Sequence, residues 1–224
     1  MRQSISIQRT VHFQTHGQLS KKTKYIWICL HGYGQTSEYL HKKFQFLDPE
    51  MHFVICPEGF NRFYWHEGNK PVACWMTKRD RYDEINDNVA YLNALYNRYC
   101  RHVNQQTEII LFGFSQGCAT LWRWIHAVKP RFKMLINWGG WIPEDISYLH
   151  MSGYLSDKDI RMYYGKSDRF FNEEMKAQIQ QVINDNRLVV NISNFEGKHN
   201  IPQQVLQDYV EQNVLINDAS TSGG

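Results

Sequence analysis

The residues with the clearest chemical meaning are Gly113-Phe114-Ser115-Gln116-Gly117, a G-x-S-x-G word. It follows an apolar run, Glu108-Ile109-Ile110-Leu111-Phe112, and opens a stretch of helical periodicity from Gln116 to Val128. A serine on a strand-to-helix turn sits in a strained backbone conformation that holds its hydroxyl out of the sheet, and flanking glycines let strand and helix approach without Cβ clashes. Alone the pentapeptide is weak, since chance supplies one in roughly every fifteen chains of this length; its context carries the weight. The N–H of Gln116, at the helix start, points to where an oxyanion would develop. A serine hydroxyl is a poor nucleophile at neutral pH and needs a base, and the base needs an acceptor that fixes its tautomer. Asp168 follows the run ending at Tyr164-Gly165 and His199 follows Phe195-Glu196-Gly197, so nucleophile, acid and base come in the order Ser115, Asp168, His199.

A second donor for an oxyanion belongs on the loop after an earlier strand, and Leu30-His31-Gly32-Tyr33-Gly34-Gln35 occupies that place. Its two glycines allow a tight turn with N–H groups facing inward, and the N–H of Tyr33 is the expected donor. His31 shares this address, but no strand-end carboxylate pairs with it in the usual order, so its expected role is support of the loop.

The elements that must position these groups are short apolar runs, each stopped by a glycine or proline turn: Lys24 to Leu30, His52 to Cys56, Glu108 to Phe112, Lys133 to Asn137, Ile160 to Tyr164 and Leu188 to Ile192. Ser4 to Thr15 reads as an edge strand ending in a turn at His16-Gly17. Helical stretches lie between the runs, at about Asp83 to Val103, Gln116 to Val128, Asn172 to Ile183 and Pro202 to Val214. This alternation predicts an α/β fold, a mostly parallel central sheet with helices on both faces and its working loops at the carboxyl ends of the strands. Gly59 to Arg81 breaks the alternation; its aromatic load, Phe60, Phe63, Tyr64, Trp65 and Trp75, reads as a pocket wall or as a cap on the core. One domain over 1–216, with no large separate cap domain, and a polar tail over 217–224 complete the organisation.

With 224 residues, 42% hydrophobic and 21% charged, the chain is long enough for one real core without staples. Its formal charge of +3 is scattered, which gives no nucleic-acid surface. No apolar run approaches the roughly 20 residues of a membrane span. The opening residues lack the apolar run of a secretory signal, so a cytoplasmic location is expected. The five cysteines, Cys29, Cys56, Cys74, Cys100 and Cys118, have no metal or disulfide spacing and read as reduced, mostly buried thiols. The ten histidines form no H-E-x-x-H pattern, and no metal site is expected.

Taken together, L-H-G-x-G at Leu30 to Gly34, G-F-S-Q-G at Gly113 to Gly117, Gly140-Trp141-Ile142-Pro143, G-x-x-D at Gly165 to Asp168 and G-x-H at Gly197 to His199 resemble the α/β-hydrolase superfamily. Within it the chain is similar to the phospholipase/carboxylesterase branch that includes acyl-protein thioesterases, over roughly Tyr25 to Val214. The resemblance implies a serine carboxylesterase acting on small or medium-chain esters through an acyl-enzyme, with Ser115, Asp168 and His199 catalytic, the N–H groups of Tyr33 and Gln116 as oxyanion hole, and no cofactor. A small-molecule ester is the expected partner, with monomer and homodimer both open. Trp65, Trp75, Trp141, Phe170 and Phe171 are candidates for the substrate pocket. Acyl-protein thioesterase, lysophospholipase and a catalytically silent binding module remain alternatives. Three departures bear on substrate: Arg169-Phe170-Phe171-Asn172 follows Asp168 where the branch tends to have a small apolar residue and proline, Cys118 replaces a usual glycine, and Gln35 a common aspartate. Phe170 and Phe171 imply a narrower acyl pocket.

Overall fold

A computed structural model describes residues 3–65 and 69–215. In chain order the strands are β1 (Phe13–His16), β2 (Tyr25–Leu30), β3 (His52–Pro57), β4 (Asn61–Tyr64), β5 (Pro71–Cys74), β6 (Glu108–Phe114), β7 (Met134–Trp138), β8 (Asp159–Gly165) and β9 (Asn191–Phe195). The helices are α1 (Ser37–Lys43), α2 (Arg81–Tyr99), α3 (Gln116–Val128), α4 (Ser152–Leu155), α5 (Glu173–Asn186) and α6 (Gln203–Val210), the last running into a π-helical turn over Glu211–Leu215.

Seven strands form one sheet in the order β1-β3-β2-β6-β7-β8-β9. Only β1 is antiparallel, pairing Phe13 with Pro57 and His16 with Val54. The remaining pairs are parallel, with Tyr25 opposite Glu108 and Phe114 opposite Trp138 at the centre. Every residue of β2 is buried because both faces of the strand are covered. Ile26, Ile28 and Leu30 join the side packed by α2, α3 and α5, and Tyr25, Trp27 and Cys29 join the side packed by α1 and α6. The period-2 alternation of a strand thus splits one apolar run between two cores. The fold is the mostly parallel, helix-covered α/β sheet that the alternation of runs predicts. All five cysteines are buried as free thiols.

Several boundaries differ from expectation. The edge strand is confined to Phe13–His16, so residues 4–12, expected to belong to it, lie outside any strand. β9 begins at Asn191 rather than Leu188, because α5 ends on the left-handed Arg187 and Leu188 turns into the core before pairing with β8 starts at Arg161 opposite Asn191. α2 runs from Arg81 to Tyr99 and stops where the N–H groups of Cys100 and Arg101 both reach the Tyr96 carbonyl. The segment 59–81 is not a plain loop: β4 and β5 form an antiparallel hairpin, Asn61 opposite Cys74 and Tyr64 opposite Pro71. α1 has no counterpart in the sequence reading, although Thr36 caps it by accepting from the Tyr39 N–H at 3.2 Å. The tail expected at 217–224 lies outside the described residues.

Candidate active site

Ser115 stands between β6 and α3 with φ 52° and ψ −117°, a conformation that costs a non-glycine residue energy and persists only where its surroundings over-determine it. Those surroundings are visible. The Ser115 N–H donates to the Trp138 carbonyl at 2.9 Å, tying the turn to β7. At Gly117 a Cβ would sit 2.4 Å from the Leu30 carbonyl oxygen and 2.8 Å from that of His31, so only glycine lets α3 meet the end of β2 this closely. Beneath the turn, the Cys118 thiol donates to the Gly113 carbonyl at 3.0 Å.

Asp168 follows β8 and is buried; His199 lies on the loop after β9. The His199 Nδ1–H donates to Asp168 Oδ2 at 2.6 Å, which leaves Nε2 as the acceptor facing the Ser115 hydroxyl at 3.0 Å. The second Asp168 oxygen, Oδ1, accepts from the Phe170 N–H at 2.9 Å. The imidazole is flanked by Phe114 and Phe170, with ring centroids 5.0 and 4.7 Å away. Side chains separated by 31 and 84 positions in sequence therefore form one continuous hydrogen-bonded line.

The loop after β2 is built so that one N–H stays available. Gly32 donates to Gln35 Oε1 at 3.0 Å, Gly34 to the Ala73 carbonyl at 2.9 Å and Gln35 to the Gly32 carbonyl at 3.2 Å. Among the described residues, the Tyr33 N–H has no such partner. Gln116, first residue of α3, likewise has an N–H without an intrahelical acceptor. The two segments touch at the nucleophile, where a Cβ on Gly32 would lie 3.2 Å from Ser115 Cβ.

His31 braces this loop. Its Nδ1–H donates to the Gly32 carbonyl at 2.8 Å and its Nε2 accepts from the Gly59 N–H at 3.0 Å, a pairing that requires the neutral ring. Burial pushes its pKa down to about 4, the hydrogen bond to Gly32 opposing this only in part. Trp75, expected to face substrate, is instead fully buried, its indole N–H donating to the His31 carbonyl at 2.8 Å. The Gln116 side chain completes the brace: it accepts from the Trp75 N–H at 2.9 Å and donates to the Met76 carbonyl at 2.7 Å. These roles of Gln35, Trp75 and Gln116 escaped the sequence reading, since an amide beside a glycine signals no particular partner.

The other pocket candidates divide similarly. Phe171 is also corrected: only 5% exposed, it stacks on Tyr164 at 4.5 Å and 15° and so anchors the turn after Asp168. Trp141 is half-buried against the core. Phe170 and Trp65 do stand open, at 51% and 48% exposure. Trp65 covers Gly34, where a Cβ would meet its ring at 2.5 Å, and packs with Tyr33 and Phe63 into an aromatic shelf on the β2 loop.

Residues 12–213 match the family model described as Phospholipase/Carboxylesterase. The chain belongs to the phospholipase/carboxylesterase family. No curated protein matches it in sequence. Among solved structures it is similar to Zea mays acyl-protein thioesterase 2, with a TM-score of 0.66, 16% identity and coverage of 89% of this chain and 96% of the other. It is similar to esterase PE8 at a TM-score of 0.63 and 16% identity, covering 91% and 99% of the two chains. The Bacillus cereus carboxylesterase matches at a TM-score of 0.63 and 13% identity, over 90% and 92%. At such identities these likenesses speak to the fold. Among the described residues no helix is long and apolar enough to cross a membrane.

Proposed function

We propose that this family member is a serine carboxylesterase that hydrolyses small or medium-chain carboxylic esters through an acyl-enzyme. The observation that carries the reading is the line from Ser115 Oγ to His199 Nε2 at 3.0 Å and from His199 Nδ1 to Asp168 Oδ2 at 2.6 Å, mounted on a strained strand-to-helix turn. In this reading the Ser115 oxygen attacks the ester carbonyl as its proton passes to His199 Nε2, and Asp168 holds the ring and stabilises the imidazolium. The carbonyl oxygen becomes an oxyanion facing the N–H groups of Tyr33 and Gln116, each worth about 3 kcal/mol in the transition state. His199 then protonates the departing alkoxide. Water, deprotonated by the same nitrogen, attacks the acyl carbon and releases the acid and Ser115.

A longer acyl chain is the second reading, favoured by the exposed shelf of Tyr33 and Trp65 and by burial of Phe171, which removes one of the two rings expected to narrow the pocket. Acyl-protein thioesterase and lysophospholipase are the activities this would suit. The test is hydrolysis of 4-nitrophenyl esters from acetate to laurate by wild type and Ser115→Ala. The first reading expects a maximum at acetate to butyrate and a loss of at least about 10⁴-fold in the variant. A maximum beyond octanoate replaces it with the second, and equal rates for variant and wild type overturn both.

A further inference from the structure

The turn that presents Asp168 to His199 also presents a cation. Three contacts make this turn rigid. The Phe170 N–H is held by Asp168 Oδ1 at 2.9 Å, the Phe171 N–H by the Asp168 carbonyl at 3.0 Å, and the Phe171 ring is stacked on Tyr164. With Phe171 turned inward, Arg169 and Phe170 are left exposed on the solvent side. The Arg169 guanidinium lies over the Phe170 ring, 4.8 Å from its centroid, and that ring stands edge-on to His199 at 4.7 Å. The charge is thus one aromatic ring removed from the proposed base.

Three carboxylates on the adjoining segments already have partners. Asp168 serves His199 and the Phe170 N–H, Glu196 pairs with Lys166, and Glu173 pairs with Lys176. Among the described residues Arg169 has no ion-pair partner, and neither does Lys198, the exposed residue that directly precedes His199. Two cations without an ion-pair partner among the described residues therefore lie on the segments that carry Asp168 and His199, and Arg169 is in cation–π contact with the ring that stands against His199. A guanidinium presents a planar fork that fits a carboxylate, and its stacking on the Phe170 ring orients that fork.

We propose that the esters this site turns over carry a carboxylate, and that Arg169 is the side chain that selects them. The inference rests on the esterase reading above. A single guanidinium with one lysine suits a singly charged carboxylate better than a doubly charged phosphate, which calls for more donors.

Two isosteric pairs test it: 4-acetoxybenzoate against 4-acetoxybenzamide, with the charge on the leaving group, and mono(4-nitrophenyl) adipate against 4-nitrophenyl 6-methylheptanoate, with the charge on the acyl group. Each kcat/KM is divided by the hydroxide rate of the same ester. The wild type is expected to favour the anionic member of at least one pair by about tenfold, and Arg169→Met to remove most of that preference. Lys21→Met, the same loss of charge at the amino ends of the strands, is expected to keep it. A preference absent from both pairs, unchanged in Arg169→Met, or lost equally in Lys21→Met overturns the proposal. Turnover of the neutral esters that disappears in Ser115→Ala upholds the esterase reading whichever way the ratio falls. No turnover of any ester by the wild type overturns both.

Discussion

His31 shows how a single residue can be decisive without touching substrate. It holds the β2 loop through both ring nitrogens, one as donor and one as acceptor, and can do so only when neutral. Its pKa falls from 6.5 to about 4 on folding, so between those values the unfolded chain takes up a proton that the folded chain refuses. Stability is therefore intact above pH 6.5 and falls as the pH drops towards 4, by about 3 kcal/mol over the whole window. Urea unfolding at pH 7.5 and pH 5 checks this. The wild type should lose more of its midpoint than His31→Asn, which keeps a donor for Gly32 but has no such titration; equal losses contradict the account. The same histidine was legible in the sequence as a loop support, because no carboxylate pairs with it in chain order. Trp75 and Phe171 were not. An aromatic residue's type says that it will bury area somewhere, and whether it faces a ligand or the core depends on backbone contacts the sequence does not display.

At the level of elements, the helix that opens at Gln116 was readable to the residue because a glycine-flanked serine, a buried strand and an apolar helical face all point to one boundary. Its packing gives a sharp prediction. Alanine at Gly117 would place a methyl group 2.4 Å from the Leu30 carbonyl oxygen, backbone that cannot rotate aside, so α3 must move away from the end of β2. Gly117→Ala should lower stability by about 1–3 kcal/mol and lower kcat more than KM, since the same shift displaces Ser115 and the Gln116 N–H. Thermal unfolding and steady-state kinetics measure both; full stability with full kcat would contradict the close approach. Other elements were hidden for physical reasons. The strands β4 and β5 are separated in sequence by residues 65–70 rather than by a two-residue turn, and the hairpin is tied to the fold through Gly34 and Gln35, which pair with Ala73 from a distant part of the chain. The start of β9 was misplaced because Leu188 to Val190 is apolar enough for a strand, yet the pairing with β8 begins only at Asn191, opposite Arg161.

Across the whole molecule, parallel strands deliver three loops to one edge of the sheet, and the separation of Ser115, Asp168 and His199 along the chain is erased there. That convergence was the most legible feature of all: each residue follows an apolar run, and in a parallel sheet every such run ends on the same side. The family match over residues 12–213 and the similarity in fold to esterases and a thioesterase agree with that parallel sheet. What the molecule leaves to chemistry is whether the aligned hydroxyl is a nucleophile. Intact mass spectrometry after treatment with diisopropyl fluorophosphate, followed by peptide mapping, asks this directly. The account predicts one phosphoryl adduct per chain, on Ser115, formed in step with loss of ester hydrolysis and absent from Ser115→Ala. An unlabelled Ser115 in a protein that still hydrolyses esters, or the same labelling in Ser115→Ala, would contradict it.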